Sequence, residues 1–208
     1  MRIFLLVIFS FLYSNFYAQD FEGVIRFSVE YPEMMINSFP PEFHDSVKTS
    51  TKYIKGDRVR TENFTVMGKQ VLIEKIGSDT SYLMFNLMGE NIAIEVVGSN
   101  KPESKKDSLK SSGKAPKKFG YKCKKALYTK HGSTYEIIYT DGVSSKYGNS
   151  FTALGGFALN YPIILSEFET ILYTCTEITE KEISDSLFKI PENFRVVSME
   201  EFSKMIGG

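Results

Sequence analysis

The chain has 208 residues, with 25 basic and 25 acidic side chains, and 14% of its residues are aromatic although it contains no tryptophan. A neutral chain lacks the basic excess that bulk binding to nucleic acid requires, so no nucleic-acid partner is expected. The roughly 190 residues that follow an apparent leader are enough for one domain with its own hydrophobic core.

Residues 1–19 have the segment order of a secretory signal peptide. Met1-Arg2 supplies a positive charge, Ile3–Leu12 is almost unbroken apolar sequence, and Tyr17-Ala18-Gln19 forms the cleavage region. The apolar run is about half of the roughly 20 residues that a helix needs to cross a bilayer. We therefore predict an exported protein that keeps no transmembrane anchor after cleavage. An N-terminal strand or buried helix is the alternative interpretation.

Strand patterns begin directly after this leader. In Phe21–Tyr31 mainly apolar residues alternate strictly with mainly polar ones, which is typical of an antiparallel strand with one face on a core. Pro40-Pro41 opens a predicted short helix. Short runs separated by glycine-bearing turns then indicate a meander: Tyr53-Ile54, Val59–Phe64, Gln70–Ile76, Ser81–Leu87 and Ile92–Val97. The connections are too short for parallel crossovers, so the sheet is predicted to be antiparallel.

Residues 98–119 interrupt the strand pattern. Serine, glycine and proline lie among lysines there, and Leu109 and Ala115 are the apolar residues inside the segment. We predict a mobile, solvated Lys-rich loop. Because the strand patterns before and after it are alike, residues 20–208 are expected to form a single domain.

The strand pattern resumes beyond the loop and ends in a helix. The predicted strands are Tyr121–Tyr128, Tyr135–Tyr139, Phe157–Leu165 and Thr170–Ile178. Asp141-Gly142 is a strong hairpin-turn signal. Ser198 and Glu201 have the spacing of a capping box at the start of a C-terminal helix. The predicted fold class is mainly β (α+β), with short helices that include this last one.

The two cysteines, Cys123 and Cys175, each lie in a strand-like run. An exported chain permits a disulfide, and adjacent strands would bring the two residues together. Two buried free thiols are the alternative, because sequence spacing does not give the Cα separation that a bridge needs.

Four short segments carry a resemblance to a known family. They are Phe21-Glu22-Gly23-Val24-Ile25, Tyr53-Ile54-Lys55-Gly56-Asp57-Arg58-Val59-Arg60, Phe119-Gly120-Tyr121-Lys122-Cys123-Lys124-Lys125 and Ser186-Leu187-Phe188-Lys189-Ile190-Pro191. In them the chain resembles a family of exported Gram-negative proteins of unassigned function, similar in fold to the LolA-like periplasmic lipoprotein carriers. The resemblance implies a periplasmic or secreted protein whose curved antiparallel sheet forms an incomplete barrel, with short helices against the concave face.

Two positions depart from the family pattern. Tyr139 stands where a tryptophan is expected, and Cys175 is not a family position, so the resemblance gives the disulfide no support. The family implies no catalytic residues, and none can be transferred to this chain.

No pattern in the sequence matches a catalytic, cofactor or metal site. His44 and His131 are the only histidines, and they have no zinc-ligand spacing. There is no G-x-S-x-G elbow, and Gly155-Gly156 lies outside any phosphate-loop motif. We therefore expect a protein that is not an enzyme and that uses neither a cofactor nor a metal.

The charge is distributed unevenly along the chain. Residues 101–130 contain eleven lysines and two acids, a net charge of +9, so the rest of the leaderless chain carries −10 of a total of −1. Contact with an anionic surface is a hypothesis for the lysines of the loop and its end, and a solvated linker is the alternative. These lysines are Lys105, Lys106, Lys110, Lys114, Lys117 and Lys118.

The sequence thus supports two functional hypotheses. The first is a periplasmic, non-catalytic binding or carrier protein for an amphiphile, such as a lipid or a lipoprotein acyl chain, and it rests on the predicted export, the aromatic residues and the resemblance. The alternative is a cell-envelope interaction module without a small ligand. The ligand, the partner and the oligomeric state are not predicted.

Overall fold

The computed structural model describes residues 21–98, 108–148 and 150–207, so the predicted signal peptide lies outside it. Twelve strands lie within these ranges: β1 Glu22–Glu30, β2 Thr49–Lys55, β3 Arg58–Thr65, β4 Gly68–Lys75, β5 Thr80–Leu87, β6 Glu90–Val97, β7 Ser108–Lys118, β8 Tyr121–Lys130, β9 Ser133–Thr140, β10 Phe157–Ile164, β11 Thr170–Glu180 and β12 Arg195–Ser198. The helices in the same ranges are α1 Glu33–Ile36 and α2 Met199–Ile206, with 3₁₀ turns at Pro41–Phe43, Ser145–Tyr147, Thr152–Leu154 and Asp185–Phe188.

The strands form one open, curved sheet in the order β12-β6-β5-β4-β3-β2-β1-β11-β10-β9-β8-β7. The mainly β class and the strands predicted from alternation are confirmed. Neighbouring strands of the described sheet are antiparallel, except that β12 runs parallel to β6. The chain reaches β12 through residues 181–194, which cross one face of the sheet and which we call the strap. This crossover was not predicted, because a four-residue strand has almost no sequence signal.

The prediction of a loop over residues 98–119 is wrong for half of its length, and residues 99–107 lie outside the described residues. Residues 108–118 form β7, an edge strand of 11 residues paired with β8 and interrupted by bulges at Ser111/Gly113 and Ala115/Lys118. An edge strand needs no buried face of its own, and lysine and proline are the residues that protect such an edge from further pairing. The polar composition of this edge strand is therefore the reason that the sequence pattern indicated a loop.

The connection after β9 is also longer than a hairpin. Asp141-Gly142 begins a turn, but β10 starts only at Phe157. Val143 and Tyr147, each 1% exposed, are buried in the core within this connection, and the Tyr147 hydroxyl donates to Gly56 O at 3.1 Å. The connection thus closes one end of the sheet with core side chains instead of turning back at once.

The C-terminal helix begins as predicted. Ser198 Oγ accepts from Glu201 N at 3.1 Å, and a Glu201 carboxylate oxygen accepts from Ser198 N at 2.7 Å, which completes a capping box. The short helix expected at Pro40-Pro41 is a single 3₁₀ turn.

The curvature of the sheet distinguishes its two faces. Alternate residues of β1 to β4 point to one face, which includes Ile25, Lys52, Thr61 and Leu72. Ile25 packs in one apolar cluster with residues from β3 and from β8. These two strands are six positions apart in the sheet, so the sheet curls around this face. We call it the concave face, and the opposite one the convex face.

The main core fills the curl between β1, β2 and β10. Ile25, Ile54 and Leu159 are each 0% exposed there. The Phe27 ring lies 5.9 Å from Tyr161 and 6.1 Å from Tyr173, both in edge-on arrangements that aromatic pairs favour. One end of the concave face is therefore a packed aromatic core.

Candidate functional site

Paired positions of successive strands lie in rows across the concave face. The first row, in order from β11 to β12, is Ile178, Ile25, Lys52, Thr61, Leu72, Leu83, Ile94 and Val197. The second row, from β11 to β6, is Cys175, Phe27, Ser50, Asn63, Gln70, Phe85 and Ile92. Both rows are apolar at their ends and polar in the middle. We call Ser50, Lys52, Thr61, Asn63 and Gln70 the polar band.

Lys52 is the charged centre of the polar band. It is 5% exposed, and its Nζ donates to Thr61 Oγ1 at 3.0 Å. Burial penalises an ammonium and lowers the pKa of Lys52 to about 8, although the negative charge of Glu74 acts in the opposite direction. A cation that remains protonated at neutral pH is therefore held inside the concave face.

Asn63 places an acceptor in the same band. Among the residues that the structure describes, no donor reaches the buried Oδ1 of Asn63. Ser50 and Thr61 beside it are 3% and 6% exposed. Buried polar atoms are nearly always hydrogen-bonded, so this carbonyl oxygen is an exception that calls for an explanation.

An apolar surface adjoins the band on the β5 and β6 side. Phe85, Ile92 and Ile94 form a buried cluster there, and α2 adds Phe202, whose ring lies 5.6 Å from that of Phe85. Leu72 and Leu83, between this cluster and the polar band, are only partly buried. The concave face thus combines partly exposed apolar side chains with buried polar ones.

An aromatic wall lies on the other side of the band. Tyr161 and Tyr173 stack with ring centroids 5.1 Å apart and planes inclined by 6°. Burial raises the pKa of Tyr173 to about 12 and that of Tyr161 still further above its usual range. Both phenols are therefore neutral hydrogen-bonding groups at physiological pH.

The lysines proposed for an anionic surface do not lie at the polar band. Lys105 and Lys106 are outside the described residues, and Lys110, Lys114, Lys117 and Lys118 are on the edge strand β7. Lys118 donates to Asn160 Oδ1 at 3.0 Å. Lys110, Lys114 and Lys117 are exposed and make no ion pair with any residue of the described part of the chain. They form a basic edge at one end of the sheet.

The cysteines are on β8 and β11, which β9 and β10 separate, so they are not on neighbouring strands. The curvature nevertheless brings Cys123 and Cys175 into one buried cluster, where both are free thiols. Burial raises the pKa of Cys175 to about 12. The disulfide is not formed in this structure and stays a prediction.

Three of the four segments that carry the family resemblance meet at the strap, on the convex face. Arg58 Nη2 lies 2.8 Å from Asp185 Oδ1, and its guanidinium stacks 4.9 Å above the ring of Phe188. Lys55 Nζ lies 3.2 Å from the same carboxylate. These two cations hold the pKa of Asp185 below its usual range, the hydrogen bond from Arg58 being the main cause.

Backbone contacts complete this attachment. Arg60 donates to Leu187 O at 2.9 Å, and the Glu22 carboxylate accepts from Ile183 N at 2.8 Å. A side chain at Gly23 would place its Cβ 2.3 Å from Thr179 O, so only glycine fits between β1 and β11 there. These residues therefore hold the strap and the neighbouring strands together.

An open pocket of about 520 Å³ lies beside the strap on the convex face. Its lining includes Arg58 and Phe188, which already contact each other, and Glu95, which accepts from the Tyr82 hydroxyl at 3.5 Å. With these groups engaged, the pocket gives less support for a ligand site than the polar band does.

The described ranges contain no group of three metal-ligating side chains. His44 Nε2 lies 3.0 Å from Phe39 O, and His131 is exposed in the turn between β8 and β9. Neither helix in the described residues has the length or the apolar character to span a membrane.

The polar band was not predicted from the sequence. Ser50 and Lys52 alternate with Thr51 and Tyr53 and look like the solvent side of an edge strand. Their register with Phe27 and Ile25 is what places them inside the curl, and register over several strands is not visible in a single sequence.

No family model matches the chain, and no curated protein matches it. Among solved structures, PNGF-II in a P21 crystal form is similar at 13% identity with a TM-score of 0.51, over 90% of this chain and 33% of that chain. PNGF-II in a C2 form matches at 14% identity with a TM-score of 0.42, over 88% and 32%. An uncharacterized conserved protein from Thermus thermophilus matches at 10% identity with a TM-score of 0.48, over 85% and 91%. The chain spans about a third of the length of PNGF-II, and likeness at this identity concerns the fold alone.

Proposed function

We propose that this protein is an exported, non-catalytic binding or carrier protein for an amphiphile, a lipid or a lipoprotein acyl chain. In this proposal the curved sheet acts as an incomplete barrel, with the C-terminal helix closing part of its concave side. The observation that carries it is the amphipathic concave face, where the polar band lies between two apolar surfaces.

The burial pattern supports a ligand surface over a filled core at the centre of this face. Ile25 and Ile94, which lie on either side of the middle of the first row, are 0% and 2% exposed, whereas Leu72 and Leu83 between them are partly exposed. A sheet that only needed a core would bury these leucines as well. Ligand sites characteristically combine an apolar lining with a few placed polar groups.

Uptake of a radiolabelled fatty acid by the purified protein tests this proposal. Leu83→Glu puts a charge on the apolar surface, and we expect it to abolish the uptake that the wild type shows. Leu165→Glu is the matched control, because Leu165 is 51% exposed in the turn after β10. Equal uptake by the wild type and Leu83→Glu would place the ligand elsewhere, and no uptake by the wild type would contradict the carrier function.

A cell-envelope interaction module is the second candidate function, and the edge strand β7 favours it. In the described sheet β7 pairs on one side with β8 and leaves its other edge open. An open edge can accept a strand from a partner, and the exposed lysines would attract an acidic partner or surface.

Cosedimentation with anionic vesicles tests the basic edge separately from ligand uptake. Replacing Lys110, Lys114 and Lys117 by glutamine keeps the length and polarity of the strand and removes three charges. Salt-sensitive binding that this triple variant loses would support the module. Unchanged binding would remove any role for these lysines.

A further inference from the structure

We propose that the polar band is the head-group site for the amphiphile, and that this head group carries an anionic oxygen beside an N–H or O–H donor. The inference rests on the proposed carrier function and adds to it the chemical class of the ligand.

The anionic oxygen is inferred from Lys52. Its hydrogen bond to Thr61 fixes the ammonium over the centre of the first row. Charge-assisted hydrogen bonds are stronger than neutral ones, and a site withdrawn from water strengthens them further. Glu74 is the acidic side chain whose negative charge acts to raise the pKa of Lys52. It lies on the same face, in the row of Ile54 and Val59, beside the polar band.

The donor is inferred from Asn63. Asn63 lies two residues beyond Thr61 on the same face, which places it diagonally opposite Lys52 across the β2–β3 pair. Its buried Oδ1 has no donor among the described residues. A head group with an N–H or O–H next to its anionic oxygen would contact Lys52 and Asn63 together, and a plain carboxylate would contact Lys52 alone.

The direction of the acyl chain follows from the apolar side chains. From Thr61 the first row continues through Leu72 and Leu83 to the cluster of Ile94 and Val197. With strands about 4.8 Å apart, the partly exposed stretch from β3 to β5 spans about 10 Å, along which the first part of an acyl chain can lie. The opposite direction is closed by the packed core around Ile25 and Phe27.

The test compares three probes with the same acyl chain: N-palmitoylglycine, palmitate and hexadecanol. We expect wild-type protein to bind N-palmitoylglycine more tightly than palmitate. Lys52→Met should weaken both anions about tenfold or more, which is the scale of one charged hydrogen bond, and should leave hexadecanol nearly unchanged. Asn63→Leu should remove the preference for N-palmitoylglycine. Lys122→Met is the control, since Lys122 is exposed on β8.

The outcomes separate the two proposals. If Lys52→Met weakens the binding of all three probes equally, or weakens the binding of none of them, the head-group site is overturned and the carrier function still stands. If the wild type binds none of the probes, the carrier function fails first. Asn63→Leu gives an independent result if Lys52→Met does not fold, because a preference that survives this change also overturns the inference.

Discussion

Lys52 shows how a residue that looks exposed in the sequence becomes a buried charge in the structure. Its neighbours along β2, Thr51 and Tyr53, point to the convex face, and Lys52 points into the curl. A buried ammonium costs folding free energy unless its environment compensates for the lost water. Strongly shifted pKa values cluster at functional sites, which fits the binding role proposed for this charge.

This cost predicts a pH-dependent stability. The pKa of Lys52 is about 8 in the folded protein and 10.5 in a solvated lysine, so the unfolded chain binds more protons between these values. Stability should therefore rise as the pH rises from 8 to 10.5, by about 3 kcal/mol from this residue. Urea unfolding of the wild type and Lys52→Met on both sides of this window measures the effect. The same pH slope in both proteins would show that Lys52 is not buried as a cation.

The two buried cysteines should react slowly in the folded protein. Burial and a raised pKa leave little thiolate on Cys175, and the thiolate is the form that alkylating reagents attack. We expect slow alkylation of the native protein and addition of two alkyl groups after unfolding without a reductant, as measured by intact mass. An unfolded chain that takes up alkyl groups only after reduction would instead establish the Cys123–Cys175 bridge.

Among the elements, the strap is where three of the four segments that carry the resemblance make contact. Lys55, Arg58 and Arg60 on β2 and β3 bind residues 183–187, and Phe188 packs on the convex face with Val24 and Ile183. The strap thereby carries the chain to β12, which extends the sheet beyond β6.

Removing the Phe188 ring should weaken the whole domain. We expect Phe188→Ala to lower the free energy of unfolding by about 3–5 kcal/mol, the usual cost for a buried phenylalanine. Phe168→Ala is the matched control: Phe168 is 91% exposed and should cost less than about 0.5 kcal/mol. Urea denaturation compares the two variants. A Phe188→Ala protein as stable as this control would mean that the strap is not part of the cooperative fold.

How far the sequence predicts each element depends on its burial pattern. Phe21–Tyr31 alternates clearly because β1 lies at the middle of the sheet with its two faces in different surroundings. Edge strands carry a weaker signal: β7 looks like a loop, and β12 has four residues. The capping box of α2 was predictable because its two residues lie only three positions apart in the sequence.

At the scale of the molecule, the strand class was predictable and the site was not. The polar band joins β2, β3 and β4, and its position between two apolar surfaces depends on the register of eight strands. Composition indicated many aromatic side chains without saying which of them line a surface and which fill the core. The charge is also distributed unevenly over the molecule. Residues 101–130, which include β7, carry a net charge of +9, and the rest of the leaderless chain carries −10.

The most direct test of the carrier function is native mass spectrometry of the protein purified from a periplasmic extract without detergent, with lipid extraction alongside. The carrier function predicts a stoichiometric amphiphile that the wild type and Leu165→Glu retain and that Leu83→Glu loses. A ligand-free mass for the wild type, together with no uptake of added fatty acid or phospholipid, would contradict it and would favour the interaction module.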